Sequence, residues 1–208
     1  MEEVMSALSG ASLPQLQTII RFAQLQAGAG ILDVGSADAS WVQSLRKQGF
    51  LALGLSDQQP AQPQSEHILT GSVAGSFSVA PHSMQVAVVR GLQLFVDDAS
   101  PLETFIGLAN VLSTLQPGGK LLISLPEQSS KAQAIWNDRL RPFGLVGRVR
   151  MLGNSLSDWL TLRPLWQPGS RVTLLEVVLG AEPKSRLAWH RCAREALFRK
   201  PHQPPAAA

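Results

Sequence analysis

Apolar and polar positions change period several times along the chain, and each change predicts an element. Leu13, Leu16, Ile19, Ile20 and Ala23 fall at helical spacing, so residues 13 to about 26 read as an amphipathic helix with Pro14 in its first turn. The short apolar run "GILDV" (30–34) follows the breakers Ala27 to Gly30, the pattern of a strand buried on both faces of a parallel sheet. "SWVQSLRKQG" predicts a helix from Ser40 to a stop at Gly49, and "FLALGLS" (50–56) the next buried strand. The polar segment "DQQPAQPQSE" (57–66) holds two prolines and is too broken for a crossover helix, so an irregular connection leads to "HILTGS" (67–72).

"MQVAVVR" (84–90) is a further apolar run, and "LETFIGLANVLSTL" after it has helical spacing. Ser100, Pro101 and Glu103 supply an N-cap, a first-position proline and a capping-box acid at its start, and "QPGG" (116–119) stops it. "KLLISLP" (120–126) reads as a core strand, 129–140 as a helix and 143–152 as a strand. Between that strand and "RVTLLEVVLG" (171–180) no amphipathic helix is legible, and a Pro-Gly turn signal closes the gap. Two strands joined without a crossover helix must pair antiparallel, because a parallel return needs the longer connection. The fold class expected is therefore α/β, a doubly wound, mostly parallel Rossmann-like sheet that ends in an antiparallel hairpin. A terminal helix over 184–200 and a disordered tail over 201–208 complete it, with residues 1–200 as a single domain.

Composition supports a folded chain: of 208 residues, 45% are hydrophobic and 16% charged, enough apolar material to offset the lost chain entropy. One cysteine, Cys192, excludes an internal disulfide, and with four scattered histidines it gives no metal-ligand spacing. The first ten residues carry two acids and no basic region, and no apolar run reaches spanning length, so a cytoplasmic protein without a membrane segment is expected. The net charge of +3 is uneven, about −5 over residues 1–138 and about +8 over 139–208. That basic third would attract an anionic partner, whether an acidic protein face or RNA; RNA ranks lower because no dense basic run with interleaved aromatics is present.

Candidate chemistry gathers at the turn after the first strand. A tight strand-to-helix turn brings backbone N–H groups and a helix N-terminus to the carboxyl edge of the sheet, where open α/β folds bind ligands. Gly35 allows close backbone approach there, and Asp33 would repel a pyrophosphate but suits a cationic ligand. The stretch "ILDVGSADASW" resembles the first motif of class I S-adenosylmethionine-dependent methyltransferases, acid-x-Gly-x-Gly-x-Gly. In order behind it, "QGFLALGLSD", "TGSVAGSF", "SMQVAVVRGLQLFVDD" and "ANVLSTLQPGGKLLISLP" look like that family's second to fifth strand segments, so the likeness spans roughly 13–180.

The resemblance implies S-adenosylmethionine as cofactor, with Asp33, Gly35, Ser36, Ala37, Ser56, Asp57, Ser72, Val73 and Arg90 as its binding residues and Glu127 as a candidate base. It implies methyl transfer to an oxygen or nitrogen of a small or anionic substrate. Departures from the pattern fall on Ala37 and Ala39, at two glycine positions, on Ser56, where a ribose-binding acid is usual, and on Ser72, where an adenine-binding acid is common. Alanine at the middle position also occurs in RNA 2′-O-methyltransferases of the family, whose turn tryptophan Trp41 matches, but Arg90 and Ser124 do not match their catalytic lysines. Loss of two charge-assisted hydrogen bonds weakens binding by about two to four decades, which keeps open a catalytically inactive relative that serves as a protein-interaction module. Arg90 would hold the cofactor's carboxylate or an anionic substrate, or else be a surface arginine; Asp97 and Asp98 would orient a substrate amine or else favour the dipole of the following helix; Trp159 and Trp166 would pack in the core or an interface, or else roof a pocket.

Overall fold

A computed structural model describes residues 19–35, 39–56, 67–75, 78–90, 101–125, 130–152 and 172–198. In chain order these form α1 (19–23), β1 (Gly30–Val34), α2 (Ser40–Lys47), β2 (Leu51–Ser56), β3 (Ile68–Thr70), β4 (Met84–Val89) and α3 (Pro101–Thr114). They continue with β5 (Leu115–Leu125), α4 (Ser130–Leu140), a 3₁₀ turn (Arg141–Phe143), β6 (Arg148–Leu152), β7 (Val172–Val178) and α5 (Arg186–Phe198). Among the described residues the strands make one sheet in the order β3-β2-β1-β4-β5-β7-β6. β1 to β5 pair in parallel, and β7 lies antiparallel between β5 and β6.

Continuous apolar strands dictate this layering. Ile31, Leu32 and Val34 of β1 are all buried, which demands cover on both faces of the sheet. One face receives α1 and α2 through Ile19, Ile20, Ala23, Trp41, Val42 and Leu45, which cluster with Ile31, Val86 and Leu174. The other receives α3, where Leu108, Val111 and Leu112 cluster with Leu32, Val34 and Ala87 of the sheet and with Trp189 and Ala193 of α5. Sandwiched between sheet and α5, α3 is buried without interruption from Gly107 to Thr114. Strand order reverses between the parallel neighbours β1 and β4, since β1 leads outward to β2 and β4 leads the other way to β5; the crevice at their carboxyl ends is the topological switch point.

Several elements differ from their sequence-based bounds. Helix α1 stops at residue 23 because Gln24 adopts φ 55°, and residues 13–18 lie outside those described. "QPGG" does not separate helix from strand: β5 begins at Leu115, which pairs with Met84, and resumes its register with β4 at Lys120 opposite Val86. Residues 116–119 form an irregularity in the strand, with Gly118 at φ 72°. The strand expected over 143–152 is Arg148–Leu152 alone, because Pro142 opens a 3₁₀ turn that Gly144 closes at φ 72°. That turn drives Phe143, fully buried, against Phe105 and Trp189. The expected strand over 171–180 is Val172–Val178, and the terminal helix is Arg186–Phe198, with Ser185 Oγ accepting from the Ala188 N–H at its start. The 57–66 connection, Ser100, the 153–170 segment and the tail lie outside the described residues.

Candidate functional site

Three turns converge at the switch point, and backbone hydrogen bonds tie each to a neighbouring strand. Past β1, the Gly35 N–H donates to the Leu55 carbonyl of β2 at 2.9 Å. Past β3, the Gly71 N–H donates to the Ser56 carbonyl at 2.9 Å, and past β4 the Arg90 N–H donates to Val34 at 2.8 Å. Gly35 holds φ 88°, a conformation in which a side chain costs about 1–2 kcal/mol, so glycine is what lets the chain turn here. Gly35, Ser56, Ser72, Val73 and Arg90 therefore gather along one edge of the sheet.

Beneath that edge lies the strongest polar contact of the region. Asp33 is 1% exposed and its carboxylate accepts a two-pronged hydrogen bond from Arg90, Nε to Oδ1 at 2.8 Å and the terminal nitrogen to Oδ2. The guanidinium also stacks on Trp41, 3.9 Å from the ring centroid. Fork geometry makes such a pair directional as well as charge-neutral. Arg90 is thus not a surface arginine: its side chain is 10% exposed and bridges β4, β1 and α2. The Asp33 carboxylate, expected to face a cation directly, already carries a cationic partner from within the chain.

Around this pair, Ser56 is 4% exposed at the end of β2. Ser72 is exposed and its Oγ accepts from the Ala74 N–H at 3.2 Å, while Val73 is buried. Ser36, Ala37, Asp57 and Glu127, together with Asp97, Asp98, Trp159 and Trp166, lie outside the described residues. His67 and His82 precede β3 and β4, at the opposite edge of the sheet, and His82 bonds the Leu115 carbonyl through Nδ1 at 3.1 Å. His82 also lines a cavity of about 210 Å³, together with Leu115, Phe143, Leu179, Lys184 and Trp189 among others. His190 of α5 has its imidazole held below the usual range, first by burial and then by Arg186 and Arg194.

Among the described residues no group of three or more His, Cys, Asp and Glu side chains could hold a metal ion, and no helix is long and apolar enough to cross a membrane. Arginines of the basic third are dispersed: Arg150 pairs with Glu176 at 2.9 Å, Arg141 with Asp138 at 2.8 Å, and Arg139 is buried against Trp136. One pairing and one residue escaped the sequence reading. The mutual pairing of Asp33 and Arg90 spans 57 positions and leaves no local trace. Asn110 was also missed, although an amide within a helix apolar almost all round is a signal, since a buried amide needs partners.

No protein-family model matches the chain, and no curated protein does. Solved structures do match. One is a chain from the complex of the Haloferax volcanii Trm112 methyltransferase activator with a methyltransferase, 13% identical over 86% of this chain and 95% of the other, TM-score 0.55. Another is Burkholderia thailandensis 1,6-didemethyltoxoflavin-N1-methyltransferase, 16% identical over 83% and 79%, TM-score 0.55. A third is a TehB-like S-adenosylmethionine-dependent methyltransferase from Corynebacterium glutamicum, 18% identical over 84% and 91%, TM-score 0.52. At these identities the likeness is one of fold: the chain has the class I methyltransferase fold, diverged in sequence.

Proposed function

We propose that the chain is an S-adenosylmethionine-dependent methyltransferase that acts on an oxygen or nitrogen atom of a small or anionic substrate, with the cofactor across the turns after β1 to β4. The observation that carries this reading is the Gly35 turn, held at positive φ and tied to β2 at the edge where strand order reverses. The residues present fit such a group. Asp33 and Arg90 put opposite charges side by side, complementary to the ammonium and carboxylate of an amino-acid moiety. Asp33 takes two of the five N–H donors of Arg90, so the remaining donors can meet a ligand carboxylate with the pair kept intact.

When bound, the cofactor supplies an electrophilic methyl group. The chain's part is to orient it and exclude water: Gly35 offers a bare peptide unit, Ser56 and Ser72 place hydroxyls at the ends of β2 and β3, and Val73, buried behind Ser72, anchors that turn in the core. Positioning supplies much of the rate of such a displacement, so a base is optional, and Glu127 is the proposed candidate. Calorimetric titration with S-adenosylmethionine and S-adenosylhomocysteine tests the reading. Dissociation constants of about 1 μM to 1 mM, lost in a folded Gly35→Val variant, support it; absence of heat at millimolar ligand removes it.

The Asp33–Arg90 pair also favours a second reading, a relative without catalysis that keeps the fold as an interaction module. Here the pair serves stability, and the basic third, about +8 over 139–208, meets an acidic protein partner. Methyl transfer that disappears in a folded Asp33→Asn variant excludes this alternative.

A further inference from the structure

The connection from β3 to β4 covers residues 71–83 and contains no helix among its described residues, so it lacks the internal hydrogen-bond ladder that a crossover helix would bring. Its start, Ser72 and Val73, nevertheless borders the candidate ligand site. What fixes this backbone is a side chain distant in sequence. Asn110, in the middle of α3 and 1% exposed, donates from Nδ2 to the carbonyls of Val73 at 2.8 Å and Gly75 at 3.3 Å. Its Oδ1 accepts from Arg186 at 3.2 Å and from His190 Nε2 at 3.0 Å, both on α5.

An amide has two donors and two acceptor lone pairs, and all four are used here. The orientation follows from chemistry: two carbonyls can only accept and a guanidinium can only donate, so Nδ2 must face the loop and Oδ1 must face α5. His190 must then donate from Nε2, which fixes the proton on that nitrogen in the neutral ring. Buried networks satisfied at every member are rigid, because loss of one contact strands the others away from water.

We propose that Asn110 is a positioning residue for the loop after β3, and that α5, through Arg186 and His190, belongs to the scaffold of the ligand site. The link between loop and α5 stands on the contacts alone; its consequence for S-adenosylmethionine rests on the function proposed above. Asn110 touches no ligand in this account. It acts by holding the Val73 and Gly75 carbonyls, which fixes the backbone that carries Ser72 past the end of β3.

The test uses the full chain with substitutions on α5, where an unfolded variant is less of a hazard than at Asn110 itself. In an Arg186→Met/His190→Ala variant, amide exchange at Ala74 and Gly75 is expected to accelerate about tenfold or more, the loss of one charge-assisted hydrogen bond, while β1 and β2 amides are unchanged. An Arg186/His190→Gln variant, which keeps the guanidinium and an amide donor, is expected to restore protection. S-adenosylhomocysteine affinity is expected to fall about tenfold in the first variant and to recover in the second. Unchanged exchange at 74 and 75 overturns the link, and faster exchange with unchanged affinity overturns the positioning role. A wild-type chain that binds no S-adenosylhomocysteine overturns the proposed function instead, with exchange still deciding the link.

Discussion

Removal of Arg90 puts the buried pair to its most demanding test. In Arg90→Met the Asp33 carboxylate, 1% exposed beneath Arg90 in the parent chain, loses its two guanidinium donors, and the Trp41 ring loses the cation stacked on it. Breaking a buried ion pair from one side costs about 3–5 kcal/mol, because the remaining charge is stranded in a low-dielectric environment. For a chain of this size that corresponds to a melting point lower by about 6–20 °C. Asp33→Asn is milder, about 1–3 kcal/mol, since the amide oxygen still accepts and Arg90 can swing toward solvent. With the carboxylate gone, loss of the arginine matters less, so the double variant falls short of the summed single effects by about 1.5–3 kcal/mol. Urea denaturation followed by tryptophan fluorescence measures all four corners of the cycle. Additivity within about 0.5 kcal/mol would show that the pair contributes nothing specific and would refute the reasoning.

Three further predictions concern other parts of the molecule. Phe143→Ala, at a fully buried ring packed on Phe105 and Trp189, costs about 3–5 kcal/mol in denaturant unfolding; an effect below about 1 kcal/mol contradicts its inward placement by the 3₁₀ turn. Gly30→Ala drives a Cβ into the Ser83 carbonyl and lowers stability by about 1–3 kcal/mol, whereas Gly28→Ala meets no atom and is limited to the strain of its φ of 83°. His190 is held neutral by burial and by Arg186 and Arg194, so the folded state binds protons less readily than the unfolded chain. Its contribution to stability is complete above the ordinary histidine value of 6.5 and is lost as pH falls below it; His190→Gln is expected to flatten the stability profile just below pH 6.5, and an unchanged slope there contradicts this.

Elements whose evidence lies within a few residues were legible before the structure. The run of apolar residues in β1, the amphipathic face of α2 and the first-position proline of α3 depend on local chemistry, and the lack of an amphipathic pattern in the sequence before β7 was enough to infer its antiparallel direction. Bounds failed where a single backbone conformation decides them. Gly144 in the left-handed region turns what reads as a strand into a 3₁₀ turn, and Leu115 joins β5 although it completes the helical pattern of α3. At the site, the position of Gly35 followed from its strand and turn, but the state of Asp33 did not. The sequence places Asp33 and Arg90 near the ends of two apolar strands; the pairing of β1 with β4 and its register are what bring the fork to the carboxylate. Asn110 is a similar case, satisfied by groups 35 to 80 positions away.

The central claim is that the carboxyl edge formed by Gly35, Ser56, Ser72, Val73 and Arg90 is a binding site for S-adenosylmethionine. Amide chemical-shift mapping during titration of a ¹⁵N-labelled chain with S-adenosylhomocysteine tests it most directly. The account predicts saturable shifts concentrated at those five residues, with Asp33 beneath them. Shifts absent at millimolar ligand, or gathered around His82, Leu115 and Trp189 at the opposite edge, would contradict it.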